Sequence, residues 1–404
     1  MTSNETDVAV IGGGLVGLAT AHAIAAKAPH LRLTVLEAEG SVGRHQSGRN
    51  SGVLHSGVYY QPGSLKARLC RTGADRMVDF CNEHGISIEQ TGKVIVATAT
   101  SQIAAIEEIE RRGNANGLTG LRTVDPDELA ELEPHVISVA ALSVPQAGVV
   151  DFSDVARRLS GLFTAMGHDV RTEFRVSAIK RSGSQYQISA LTGNECGATY
   201  LVNCAGLQSD RVAALAGEVP PVTIIPFRGE YYVMRDDRDY LVRHLVYPVP
   251  DPRFPFLGVH FTRRIDGAVE VGPNAVLALG RHHYRDEAKP DWGDVRQMLR
   301  TPGLWRLGRR YWRTGATEMI RSRSKRLYAS AARKLIPEVQ ATDLVRGGSG
   351  IRAQAVARNG KLADDFVIIE NESAIHVLNA PSPAATACLA IGDRIADRLL
   401  EKSK

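Results

Sequence analysis

The feature that most limits what this chain can fold into is Gly12-Gly-Gly-Leu-Val-Gly17, set between an apolar run and an alanine-rich run. Residues 7–11 (Asp-Val-Ala-Val-Ile) read as a buried parallel strand. Residues 15–27 are helix formers and stop short of Pro29. Residues 31–36 read as a second strand, with Glu37 at its end. Each part has a physical reason. Gly12 permits a sharp turn, Gly14 leaves room for a pyrophosphate against the backbone, and Gly17 lets helix and strand touch. The helix start offers N–H groups and a positive dipole end to phosphates. Glu37 lies 20 residues past Gly17, where a carboxylate accepts ribose hydroxyls and repels a 2′-phosphate. A glycine triplet alone says little, but the complete strand–helix–strand–acid unit predicts a dinucleotide site and argues against NADP.

The motif does not choose between NAD and FAD. Residues 43–57 help, with four glycines, three serines, two arginines and two histidines. Such a loop is too polar for a core and too glycine-rich for a helix. Directly after the ribose acid, it is expected to run along FAD, with Arg44, Ser47, Arg49, Asn50, Ser51 and Gly52 as contacts. Later segments read as returns to the same sheet. A strand at 172–179 would bring Val176 past the adenine, and one at 200–206 would end in Ala205 and Gly206. Runs 366–370 and 374–378 read as a hairpin. After it, Pro381 and Ser382 open a helix running to about Leu400, with Ser382 as N-cap and Pro383 in the first turn. Aimed at a flavin, that helix start would favour the charge of the reduced ring.

Bulk properties set the remaining bounds. At 404 residues the chain has length for two cores, and no run is apolar enough to span a bilayer. Residues 1–6 are polar without a signal pattern, so a cytoplasmic location is expected. Five cysteines without CxxC spacing argue against a disulfide framework or zinc site. Adjacent His282 and His283 point apart, and no metal is assigned. The formal charge of +5 conceals an asymmetry: residues 296–334 hold 12 Lys/Arg and one acid, leaving −6 on the rest. That stretch interleaves Trp305, Tyr311 and Trp312, which suits peripheral contact with an anionic membrane at the inner face of the cell membrane. A solvated helix face or a lid over an acidic substrate are the alternatives; nucleic acid is not expected, since no binding motif accompanies the charge.

Six blocks carry a family resemblance: residues 49–70, 226–232, 255–261, 271–277, 350–354 and 378–386. With them the chain resembles, over nearly its whole length, the L-2-hydroxyglutarate dehydrogenase/oxidase family of FAD enzymes, within the D-amino-acid-oxidase-like superfamily. The resemblance implies oxidation of a dicarboxylate, L-2-hydroxyglutarate, to 2-oxoglutarate, with electrons passing to a quinone or to oxygen. It gives the basic Trp/Tyr stretch a meaning as a patch reaching a membrane quinone. It also raises His260 beside His55 as a catalytic candidate.

Such chemistry needs a base and cations. His55, in the loop placed along the cofactor, is the first choice of base. Arginine forks suit carboxylates, so Arg228 and Arg352 are candidate clamps. Tyr231 and Tyr232 alternate across a strand, so one of them is expected in the pocket. Gly350 and Arg352 are also expected against the cofactor. The fold class expected is α/β: a Rossmann-like FAD domain from 1–90, 145–220 and 340–404, and an α+β substrate domain on an antiparallel sheet from 91–144 and 221–339. Two other readings stay open from the residues alone, an amino-acid or amine oxidase on the same fold and a non-catalytic FAD-binding subunit.

Overall fold

In the computed structural model, which describes residues 5–251, 258–284 and 289–403, the first strand is Glu5–Ile11, and Val8 to Ile11 are buried. It pairs in parallel with Leu33–Leu36 and with Glu195–Asn203. Asp169–Arg171 adds parallel to Leu33–Leu36, and Ala374–Asn379 adds parallel to Glu195–Asn203. Val176–Ser182 and Gln185–Ala190 extend the sheet antiparallel at one edge, and Val367–Glu370 closes the terminal hairpin. This eight-stranded sheet is the predicted nucleotide fold. The expected strand over 172–179 begins only at Val176: residues 172–175 lie outside it, where Phe174 N–H donates to the Glu37 carbonyl and Glu173 N–H to the Glu39 carbonyl.

Helix Leu15–Lys27 lies under the sheet against the terminal helix Cys388–Lys402 and helix Phe152–Ala165. The crossing of the first and last helices is tight. A Cβ on Gly392 would stand 2.6 Å from the Ala19 backbone carbon. The shared core includes Leu18, Ile24, Val155, Phe163, Ile391, Ile395 and Leu399. Burying each such side chain contributes about 1.5–3 kcal/mol.

The second sheet has nine strands. Its strand order runs Val276–Leu277, Val222–Met234, Val269–Gly272, His260–Arg263, Leu245–Pro248, Lys93–Ala97, Ala140–Val144 and Arg122–Val124. It is antiparallel except where Leu245–Pro248 runs parallel to Lys93–Ala97. Val222–Met234 is one continuous strand of 13 residues. One boundary moves: Leu344–Ala357, expected in the FAD domain, pairs with Val222–Met234 along its whole length, from Val222 opposite Ala357 to Met234 opposite Leu344. Backbone pairing over that length commits the strand to the second sheet.

A small sheet of Val53–Leu54, Gly148–Val150 and Ile88–Glu89 links the two bodies. A buried ion pair does so again. Arg281, 2% exposed, gives Nη2 to Asp210 at 2.9 Å and to the Ile224 carbonyl at 3.1 Å. Burial of such a pair is tolerated because these hydrogen bonds satisfy it.

Candidate active site

The dinucleotide cradle is built from backbone that side chains would fill. Gly12 holds φ +110° and abuts the Cys204 carbonyl, and a Cβ on Gly17 would stand 2.0 Å from the Gly12 oxygen. Gly14 caps the first helix without any side-chain cap of its own, and Leu15 N–H donates to Ser47 Oγ at 2.9 Å. Glu37, 7% exposed, accepts from Gly13 N–H at 2.7 Å and Glu39 N–H at 2.8 Å. Burial pushes its carboxyl up from the ordinary range.

The polar loop is shaped by its own side chains. Asn50 Nδ2 donates to the Ser47 carbonyl at 2.7 Å while its Oδ1 accepts from Gly52 N–H at 2.8 Å. Arg49 donates to the Arg44 carbonyl and lays its guanidinium 4.4 Å over the Tyr284 ring, while Arg44 and Arg49 themselves stay exposed. Gly350 approaches Arg49 so closely that a Cβ would meet its carbonyl oxygen at 2.4 Å. Gly206 is exposed beside Gln46, Ala205 N–H donates to Asn203, Ser51 is half-buried, and Val176 starts the edge strand. An open helix start, a ribose-level acid and a glycine-lined path are the donor set an FAD dinucleotide needs.

The terminal segment departs from expectation. Its helix begins at Cys388 with Ala387 as N-cap, not at Ser382. The side chains expected to start it are turned elsewhere: Thr386 Oγ1 accepts from His55 N–H at 3.0 Å, and Ser382 Oγ meets His55 Nε2 at 3.2 Å. Pro381 and Ser382 therefore sit beside the candidate base, where tertiary hydrogen bonds outweigh local capping. The Cys70 thiol donates to the His55 carbonyl, so this residue is held at both ends of its backbone.

Opposite His55, the register of the second sheet assembles a row from strands far apart in sequence. Ile95 pairs with Tyr247, Val246 with Phe261, His260 with Gly272, and Tyr232 with Val271. Tyr247, His260 and Tyr231 thus share one level and one face, with Lys93 diagonal to Tyr247. His260 stacks on Tyr247 at 3.9 Å. Its Nδ1 lies 2.8 Å from the Gly258 carbonyl, which can only accept, so Nδ1 carries the proton and Nε2 the lone pair. Burial lowers both His55 and His260 to about 3, assisted by the charges of Lys93 and Arg352, so both rings are neutral at pH 7.

The alternation also sorts the candidate clamps. Arg352 stands opposite Phe227, on the face of Tyr231, and its charge reaches both histidines. Tyr231 has its hydroxyl pushed up to about 12 by burial. Tyr232 faces the other way, 6% exposed in the apolar core against Tyr328 at 4.7 Å. Arg228 is on that other face too. It is 5% exposed, donates to Glu230 at 2.7 Å and meets His283 at 3.1 Å. The structure thus brings Arg352 to the face of the row and places Arg228 and Tyr232 on the opposite face.

The residue missed from sequence is Lys93. It is 2% exposed, with Nζ 4.3 Å from the Tyr247 ring centre and 5.3 Å from that of Tyr59. Among the described residues no carboxylate pairs with it, and burial lowers it to about 8. The one available signal is a lysine opening a strand, Lys93–Ala97, that is otherwise wholly apolar. The metal reading also missed a juxtaposition: His282 meets Glu39 and His45, not His283, with ligating atoms within 4.8 Å. Hydrogen bonds to Tyr284 and Glu39 already engage both ring nitrogens of His45.

Comparison with known proteins accords with this geometry. Residues 7–398 match the family model for FAD dependent oxidoreductases. An L-2-hydroxyglutarate dehydrogenase of Indibacter alkaliphilus is 46% identical, covering 98% of this chain and 100% of that one. The human mitochondrial L-2-hydroxyglutarate dehydrogenase is 40% identical over 99% of this chain and 90% of its own. That of Escherichia coli K12 is 39% identical over 97% and 93%. Among solved structures, the dithionite-reduced, FAD-bound L-alpha-glycerophosphate oxidase of Mycoplasma pneumoniae superposes with TM-score 0.79 at 21% identity, over 98% of this chain and 95% of that one. Glycine oxidase of Geobacillus kaustophilus gives 0.74 at 18%, over 100% and 96%. These last two establish a shared fold. With the cradle in place and relatives matched end to end, the chain belongs to the FAD-dependent oxidoreductases, in the family of the L-2-hydroxyglutarate dehydrogenases.

Proposed function

We propose that this chain oxidises L-2-hydroxyglutarate to 2-oxoglutarate with FAD bound in the cradle of Gly12, Gly14, Gly17 and Glu37. The observation that carries the proposal is the meeting of two neutral histidines and Arg352 where the second sheet faces the dinucleotide loop. When bound, the flavin supplies the hydride acceptor. The chain supplies the rest. Arg352 holds the carboxylate next to the reacting carbon, with Tyr231 beside it. The His55 imidazole takes the hydroxyl proton, and its anchored backbone fixes the direction of that transfer. His260, fixed by its Nδ1–H to the Gly258 carbonyl and stacked on Tyr247, bounds the place where the substrate lies. Tyr247, buried beneath His260, gives the row an apolar floor. The test is anaerobic: the yellow holoprotein is mixed with L- and then D-2-hydroxyglutarate, and flavin absorbance is followed. Bleaching by the L isomer alone is expected. A flavin that dithionite reduces but neither isomer bleaches would sink the proposal.

We further propose that electrons leave at a membrane, to a quinone rather than to oxygen. Among the described residues no helix is long and apolar enough to cross a bilayer. Helix Pro302–Arg323, however, exposes Trp305 (59%), Trp312 (63%) and Ile320 (60%) among its arginines. Apolar side chains with basic neighbours are the chemistry of an anionic lipid surface. Sedimentation with vesicles containing phosphatidylserine at low salt, lost at high salt, is expected; no sedimentation at low salt refutes this part.

A further inference from the structure

We infer that Lys93, with Tyr59 beside it, receives the substrate's distal carboxylate and so selects dicarboxylic over monocarboxylic 2-hydroxy acids. The inference rests on the substrate class proposed above. Its first support is position. Lys93 lies on the same face as Tyr247 and His260, at the end of the row away from Arg352. The row thus carries a cation at each end with the histidines between. A five-carbon diacid presents the same pattern: an anion at each end and the reacting carbon next to one of them.

The second support is the state of the lysine itself. A lysine 2% exposed normally pairs with an acid, because a buried ammonium is costly to leave uncompensated. Lys93 has instead two aromatic faces and no acid among the described residues. A ring face is a weak partner for a desolvated ammonium and leaves its N–H groups free to donate. The Tyr59 hydroxyl is likewise buried and makes no hydrogen bond among the described residues. Two unsatisfied donors at one place form a site for an anion. Lys93 also exerts the largest charge effect on His55 and on His260, so that anion would lie within the same field as the reacting hydroxyl. An anion at Lys93 would compensate that positive field and make the histidines better proton acceptors. Binding at the far carboxylate is thereby coupled to proton transfer at the near one.

The test compares holoenzyme with the Lys93→Met variant, which keeps length and apolar volume. Two readouts are taken. The first is the ratio of kcat/KM for L-2-hydroxyglutarate to that for L-2-hydroxyvalerate, which has a methyl in place of the distal carboxylate. We expect the ratio to fall about 100-fold in the variant, the size of a lost charge-assisted contact. The second involves no turnover: titration of the flavin spectrum with glutarate, a diacid that cannot be oxidised, against butyrate. Glutarate binding is expected to weaken at least tenfold while butyrate binding changes by less than twofold. In wild type, glutarate affinity is expected to fall above pH 8, where the buried ammonium loses its proton. Should the variant not retain flavin, this wild-type pH series and Tyr59→Phe decide, the latter expected to weaken glutarate severalfold. A selectivity ratio within threefold of wild type, or glutarate affinity flat from pH 7 to 9.5, overturns the inference. If wild type does not turn over L-2-hydroxyglutarate but glutarate still depends on Lys93, the assigned substrate falls and the diacid site stands.

Discussion

Replacing Lys93 by methionine is expected to make the substrate-free protein more stable. The ammonium is 2% exposed and held down to about 8 from an ordinary 10.5 by burial. At ~1.4 kcal/mol per pH unit, that displacement corresponds to roughly 3 kcal/mol of unfavourable burial at pH 7. The rings of Tyr247 and Tyr59 return about 1 kcal/mol of it. A methionine of similar length removes the charge and keeps the packing, for a net gain of about 2 kcal/mol, or roughly 2–4 °C in Tm. The sign with pH follows from the same displacement. Between pH 8 and 10.5 the unfolded chain binds a proton at this lysine that the folded chain does not, so wild-type stability from this group rises with pH across that window. Differential scanning calorimetry of flavin-saturated protein, without substrate, at pH 7 and pH 9.5 reads both effects. The variant should melt above wild type at pH 7, and the gap should narrow at pH 9.5. A variant that melts below wild type at pH 7, or a gap independent of pH, would refute the claim that Lys93 is an uncompensated buried charge.

Three other outcomes are expected. Stability should fall as pH drops below 6.5, because the unfolded chain protonates His55 and His260 there while the folded chain resists until about 3; at pH 5 this is about 2 kcal/mol per histidine, and His260→Asn should flatten the acid limb of a urea-midpoint-versus-pH curve. Gly17→Ala should abolish flavin retention on gel filtration, since the added carbon would lie 2.0 Å from the Gly12 carbonyl oxygen and force the helix off the strand; retained stoichiometric flavin would contradict this. Glu230→Gln should cost about 1–3 kcal/mol in chemical denaturation by removing the carboxylate charge set against buried Arg228, whereas Arg352→Ala should leave stability near wild type and lower kcat/KM on L-2-hydroxyglutarate 100-fold or more.

The parts of this molecule legible in sequence are those where chemistry and chain order coincide. The strand–helix–strand unit around Gly12 to Glu37 is local, and so are the terminal hairpin and the loop that holds His55. The second half of the site is not local. Lys93, Tyr247, His260 and Tyr231 come from four strands, and only pairing register reveals that they share a face. The same register parts Arg228 from Arg352, two arginines that looked equivalent as residues in strand-like runs. Alternation correctly separated Tyr231 from Tyr232, but choosing between them required knowing which face meets the nucleotide fold. Ser382 misled for a different reason: its capping chemistry was real, but His55 offered it a tertiary partner.

The contact of Gly392 with Ala19 has a bearing on biogenesis. Helix Leu15–Lys27 leaves the ribosome long before Cys388–Lys402, which supplies the surface it must cover. Until then the nascent chain carries an alanine-rich helix and a parallel strand whose neighbour across the sheet, Glu195–Asn203, has its own parallel partner Ala374–Asn379 still unmade. Contacts of such long sequence separation are slow to close and leave apolar surface exposed meanwhile. Supplying flavin is therefore expected to rescue yield only for chains in which helix Cys388–Lys402 has already been made.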